Sequence, residues 1–376
     1  GPMALDSYEG AHAAASAVRA AVQSGRMPPW LPSDKGVPIR NSRAMRPEDR
    51  DLLLRWVDGG ALLGDDRPAR TDIPAAEAAP PAPRPDMVVD PGFVYQPKAG
   101  RADDYRCFLY DPKLDADTFV TAGTVVPGNK AIVHHVLLFE IVKADVAAVQ
   151  QKDGADGTPG YTCFGAPGSG QPQTLLGWAP GGVPMRTPEG LAIKMSAGSI
   201  LAMQVHYNLQ GYKGEGDRTR VELELTRQPM RVLINQPLAY PKGLKIAAGD
   251  PAARQELPIP VSVLQQRVLK ISGDLLAYGV APHMHLLGTS ISLSAAGSSV
   301  LIDVPRWDFH WQQGYMFKEP VRLTGADLLQ LSCTYDNSAA HQPVIDGQQQ
   351  APRDVTWGEG TSDEMCLTYL SLTAAP

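Results

Sequence analysis

The stretch Ile132-Val133-His134-His135-Val136-Leu137-Leu138-Phe139-Glu140-Ile141-Val142 is dense in β-branched and aromatic residues and reads as a strand. Runs of the same type recur at Tyr105–Tyr110, Ile200–Tyr207, Arg220–Thr226, Val268–Ile271, Ile291–Leu293 and Leu328–Tyr335, separated by Gly, Pro, Asn and Asp. Short strands at that spacing predict a sandwich or jelly roll. The composition agrees: 36 Gly and 34 Pro supply turns, while 43% apolar residues supply cores. Near Gln228 and Pro229 one strand series ends and another begins, which predicts a boundary between two β domains, 90–229 and 230–376. The stretch from Lys152 to Gly182 reads as a long loop region of the kind that carries function.

The chain before these strands differs. Ala14, Val18 and Val22 recur every fourth position, and Leu52, Leu53, Trp56 and Val57 form a second apolar face behind Pro47, so residues 1–62 are expected to be a helical segment of two helices around a loop. It closes at Gly59-Gly60. Residues 63–89 are rich in Pro, Ala and charge and read as a linker. The start Gly1-Pro2-Met3 has the look of a tag-cleavage scar, so an upstream segment of the natural chain is expected.

The net charge of −6, with no Lys/Arg block, argues against a nucleic-acid partner. No apolar run is long enough to span a membrane as a helix. The four cysteines, Cys107, Cys163, Cys333 and Cys366, contain no C-x-x-C pair, which disfavours a zinc ribbon or a thioredoxin-like site. Two disulfides are the simplest reading; four buried thiols in a cytosolic protein are the alternative.

Histidine is scarce, eight residues in all, yet five fall in three strand-like segments: Val133-His134-His135-Val136, Gln204-Val205-His206-Tyr207 and Pro282-His283-Met284-His285. A lone histidine is usually a core imidazole bonded to a carbonyl. Five buried imidazoles would each need a separate partner, which favours metal ligation instead. Residues two apart on a strand share a face, so His283 and His285 can hold one ion side by side. His134 and His135 are adjacent and should face apart. For both to reach one ion the strand must bulge, or the rings must bind through different nitrogens. Imidazoles alone admit zinc, copper, iron or nickel.

The segments His134-His135-Val136-Leu137-Leu138-Phe139, Gln204-Val205-His206-Tyr207, His283-Met284-His285 and Asp363-Glu364-Met365-Cys366 resemble, in this order, the copper motifs of the type II ascorbate-dependent monooxygenases. The similarity runs from about Asp90 to Leu372, and Tyr105-Arg106-Cys107 and Tyr369 fit it too. It implies a mainly β fold of two tandem jelly-roll domains behind the helical segment. It also implies two copper ions, one for electron transfer at His134, His135 and His206, the other for oxygen activation at His283, His285 and Met365. Spacing alone could not single out Met365 among eleven methionines; a thioether beside two imidazoles would select Cu(I). The resemblance carries over a Cys333–Cys366 disulfide, which leaves Cys107 to pair with Cys163. Where peptide-hydroxylating members hold the substrate carboxylate with an Arg and an Asn, this chain has Ala281 and Leu367, so the chemistry carries over better than the substrate.

The expected function is therefore hydroxylation of a C–H bond of a small molecule or peptide, using O2 and ascorbate or another electron donor. Gln204 and Tyr369 are candidates to support the metal sites or touch substrate. A non-catalytic copper carrier or electron-transfer protein on the same scaffold is the main rival, and a zinc hydrolase at His134, His135 and His206 a third reading. The disulfides predict a periplasmic or secreted protein. Arg26-Met27-Pro28-Pro29-Trp30 and Trp56-Val57-Asp58-Gly59-Gly60-Ala61 resemble the end of a class I cytochrome c. This chain holds no C-x-x-C-H, so haem c, with Met27 as axial ligand, is expected only for the full-length protein; otherwise the segment is a helical cap.

Overall fold

The structure is a computed structural model that describes residues 5, 7–64, 80–168, 170, 172–209, 211–240, 242–295, 299–345 and 348–376. Gly1-Pro2-Met3 and most of the predicted linker, 65–79, lie outside the described residues. The chain divides into two compact units, one of residues 1–32 and 40–78 and the other of residues 33–39 and 79–376.

The first unit is helical. Helix α1 (Tyr8–Ala13) starts at Ser7, whose hydroxyl accepts the Gly10 N–H at 3.1 Å and so satisfies one of the free first-turn donors. After Ala14 the chain continues as α2 (Ala15–Gln23), which buries Ala21 and Val22. Helix α3 (Pro47–Asp58) carries Pro47 in its first turn, where a missing N–H costs nothing. Arg19 pairs with Asp58 at 2.6 Å. The loop between the helices is not wholly part of this unit: Ser33–Ile39 belongs with the β strands, where Val37 donates to the Val300 carbonyl and Pro38 accepts from Lys318.

The second unit is mainly β, as the turn-rich composition predicts. Its first half has two sheets. One has the order β5-β2-β9-β4-β6, formed by β2 (Asp103–Tyr110), β4 (Val133–Ile141), β5 (Tyr161–Thr162), β6 (Gln173–Trp178) and β9 (Ile200–Asn208). The other has the order β1-β10-β3-β8-β11, formed by β1 (Met87–Val89), β3 (Thr118–Val126), β8 (Leu191–Met195), β10 (Arg220–Thr226) and β11 (Arg231–Val232), with β7 (Met185–Arg186) also on β3. One apolar core joins them: Val120, Ile193, Val221 and Leu223 come from the second sheet, and Val136, Leu138, Leu201, Met203 and Val205 from the first. The predicted loop region 152–182 is thus partly strand, since β5 and β6 lie inside it.

In the second half, β12 (Ile234–Ala239), β15 (Leu275–His283), β18 (Tyr315–Leu323) and β23 (Leu367–Ala374) form a sheet of order β12-β23-β15-β18. Facing strands β14 (Ala253–Pro260), β16 (Gly288–Ala295), β17 (Ser299–Val304) and β19 (Leu328–Tyr335) form another, ordered β14-β19-β16-β17. Two short ladders, β13 (Lys245–Ile246) with β22 (Val355–Thr356) and β20 (Val344–Ile345) with β21 (Gln348–Gln349), complete it. Strand β14 tolerates Pro258 and Pro260 because it is an edge strand. The run Val268–Ile271, read as a strand, is not one. The chain is helical over Leu264–Leu269 and leaves through Lys270 at φ 54°. Buried Val261, Leu264 and Gln265 show why: their spacing is that of a helix face.

Both expected disulfides form, Cys107–Cys163 and Cys333–Cys366, and no described cysteine is free. The second ties β19 to the residue that precedes β23.

Leu138, fully buried in the core of the first half, tests this packing. Leu138→Ala should cost about 3 kcal/mol of unfolding free energy, measured by denaturant titration of the copper-free protein; a change of a few tenths would mean the sheets do not pack there.

Candidate metal centre

Strand β4 pairs with central strand β9, and the pairing slips by one residue between Val133 and His135. Val133 lies opposite Tyr207 and His135 opposite His206, so His134 is the extra residue of a β-bulge. The bulge turns two adjacent histidines to one side. All three then present the same atom: Nδ1 of His135 lies 3.3 Å from Nδ1 of His134 and 3.3 Å from Nδ1 of His206. The sequence left open a bulge or two kinds of nitrogen, and the geometry has the bulge with one kind.

These contacts are long for hydrogen bonds. They suit ligands instead: with metal–imidazole bonds of about 2.0 Å and tetrahedral angles, neighbouring nitrogens stand about 3.3 Å apart. The cluster can hold a metal ion. One of its tautomers is set from behind, because His206 Nε2–H donates to Asp103 Oδ1 at 2.8 Å and leaves Nδ1 a bare acceptor. Tyr105 stacks on the His206 ring, centroids 4.0 Å apart. Burial, with help from His206 and other imidazoles, pushes His134 down to about 3 and His135 well below its usual value. Burial lowers His206 too, although Asp103 opposes it. Neutral imidazoles are the ligand form.

His283 ends β15, with its ring centroid 5.1 Å from that of His285. Between them Met284 is fully buried, as alternation requires. Gln312 fixes the first ring: its amide N–H donates to the Phe309 carbonyl at 2.8 Å, so its oxygen faces His283 and accepts from Nδ1–H at 2.6 Å. His285 Nδ1–H donates to the Asp363 carbonyl at 3.1 Å. Both Nε2 atoms are therefore the acceptors left for an ion. Burial lowers His283 to about 4 and His285 well below its usual value. Met365 is buried: its carbonyl accepts from the Tyr335 hydroxyl at 2.9 Å, and its N–H donates to the Glu364 carboxylate. The Glu364 carboxylate also accepts from the His285 N–H.

Phe309 ties the two clusters together. It stacks on His134 with centroids 4.7 Å apart and stands edge-on to His285 at 6.0 Å. Sequence reading passed over it, as it did Asp103, Gln312 and Glu364. Only Glu364 carried a visible signal, a carboxylate next to the methionine of a motif.

The other candidates have partners of their own. Gln204 is fully buried, but its amide donates to the Cys163 carbonyl at 3.3 Å, beside the disulfide. Tyr369, level with Ala281 across β15 and β23, bonds through its hydroxyl to Thr174 of β6. Met27 lies in the helical unit after α2 and is 47% exposed.

Comparison with known proteins gives the chemistry a name. Residues 265–373 match the description "Copper type II ascorbate-dependent monooxygenase, C-terminal domain". The chain is 22% identical over 264 residues to dopamine beta-hydroxylase of Canis lupus familiaris. Both findings support kinship with the copper type II ascorbate-dependent monooxygenase family. That alignment covers 65% of this chain and 38% of the relative, so the chain spans well under two thirds of the relative's length. The matched domain contains His283, His285, Phe309, Gln312 and Met365, and the alignment extends the likeness beyond it.

Asp103→Ala should loosen metal binding at His134, His135 and His206 by about 10- to 100-fold, since His206 could then turn or change tautomer. Isothermal titration that returned the parent affinity would show that Asp103 does not orient the ring.

Proposed function

We propose that the protein is a dicopper monooxygenase that hydroxylates a C–H bond with O2 and electrons from ascorbate or another donor. One copper is held by Nδ1 of His134, His135 and His206, the other by Nε2 of His283 and His285 with the thioether of Met365. The observation that carries this reading is the presence of two separate groups of imidazoles, in which His206, His283 and His285 are each tied from behind so that one nitrogen is left as acceptor.

Copper, when bound, supplies the one-electron chemistry that activates dioxygen. The protein's own part is positional. Asp103, Gln312 and the Asp363 carbonyl hold the rings, and neutral histidines bind without first losing a proton. The donor sets differ as the two tasks require. Three imidazoles suit either oxidation state, whereas a thioether favours the reduced ion. Nothing in the family match requires a zinc hydrolase, and among the described residues no carboxylate bonds the three Nδ1 atoms; Asp103 meets the far side of His206.

The substrate is a small molecule or peptide without a carboxylate grip beside the Met365 site. Ala281 and Leu367 stand on adjacent strands, Leu367 directly opposite His283, and both are apolar. An arginine there would offer two-point pairing to a carboxylate, which neither residue can give. The two disulfides support a place outside the cytoplasm, periplasmic or secreted.

The test is copper counting joined to coupled turnover. The loaded protein should hold two coppers per chain and, given ascorbate and neutral candidate substrates, convert O2 consumption into hydroxylated product. Met365→Ala should abolish product while the three-histidine site stays filled. Two coppers with no oxygen consumption would instead establish the carrier or electron-transfer reading.

A further inference from the structure

Glu364 has no ligand role in the reading above, yet it is fully buried, and a buried carboxylate is costly unless its oxygens are satisfied. Here they are satisfied by backbone. Oε1 accepts from the Leu287 N–H at 2.7 Å; Oε2 accepts from the His285 N–H at 2.9 Å and from the Met365 N–H at 3.2 Å. All three partners are N–H donors, so both oxygens serve as acceptors.

The positions of these donors matter more than their number. Strand pairing between β15 and β23 stops at His283 opposite Leu367. Beyond that point the His285 and Met365 segments have no ladder to hold them in register. The neighbouring contacts each grip one side or one side chain: Trp307 donates to the His285 carbonyl at 3.2 Å, Tyr335 to the Met365 carbonyl, and the Cys333–Cys366 disulfide anchors the strand behind Met365. Among the described residues, Oε2 of Glu364 is the one atom that bonds the backbone N–H of both His285 and Met365.

We propose that Glu364 is a positioning residue for the second site, a buried carboxyl clamp that sets the spacing between the His285 imidazole and the Met365 thioether. The proposal rests on Met365 being a ligand. Its consequence is specific: loosening the clamp removes sulfur from the site and leaves a two-imidazole site with less preference for the reduced ion. The three-histidine site, on another pair of sheets, is left as it was.

The measurement is Cu(I) affinity by competition with a chromophoric chelator, together with copper-edge X-ray absorption, on the parent protein, Glu364→Gln and Glu364→Asp. Glutamine keeps the size but replaces one acceptor oxygen with a donor amide that faces backbone N–H groups. It should weaken one of two Cu(I) sites by about 10- to 100-fold and remove the sulfur signal. Aspartate keeps two acceptor oxygens with a shorter reach and should retain part of the sulfur signal, which also covers the case in which the glutamine variant fails to fold. Parent-like affinity and sulfur signal in Glu364→Gln overturn the proposal, and so does equal weakening of both sites, the mark of a merely structural residue. A parent protein that binds two coppers without sulfur would fail the Met365 assignment itself, a different result from either.

Discussion

A β-strand sends successive side chains to opposite faces, and everything at the three-histidine cluster depends on where β4 breaks that rule. With His134 as the extra residue of a bulge, His134 and His135 point the same way, and pairing with β9 sets His206 beside them. Without the slip one of the two rings would enter the opposite face, where the apolar core lies. The bulge is held by what surrounds it, since β9 is the central strand of its sheet and its residues from Ile200 to Tyr207 are buried.

The second cluster solves a different problem with different means. His283 and His285 share a side through ordinary alternation, but the methionine comes from a segment eighty positions after His285 in the numbering. Backbone hydrogen bonds to Glu364, a disulfide at Cys366 and the Tyr335 hydroxyl bring that segment in. Phe309 lies against His134 on one side and His285 on the other, so an aromatic ring, not open space alone, stands between the clusters. The protein invests in side chains that no ion touches: those that fix tautomers, register and distance.

Much of this was legible in sequence, and the reason is periodicity. Strand runs such as Arg220–Thr226 and Leu328–Tyr335 match the strands to the residue, because alternation and turn residues are local signals. Val268–Ile271 misled because a short apolar run fits a strand or a helix equally well, and the choice was made by Val261, Leu264 and Gln265 further up the chain. The clustered histidines could be singled out because five of eight crowd into three segments. Their partners could not. Asp103, Gln312 and Phe309 are common residues whose role exists only through contacts across sheets, and the fate of Tyr369, bonded to Thr174, is equally a matter of what folding places opposite it.

The central claim is that two ions sit at chosen nitrogens. Diffraction from copper-loaded crystals, recorded on both sides of the copper absorption edge, tests it directly. The account predicts two anomalous peaks per chain, one bonded to Nδ1 of His134, His135 and His206, and the other to Nε2 of His283 and His285 and the sulfur of Met365. A single peak, or copper bound through the Asp103-facing nitrogen of His206, would contradict it.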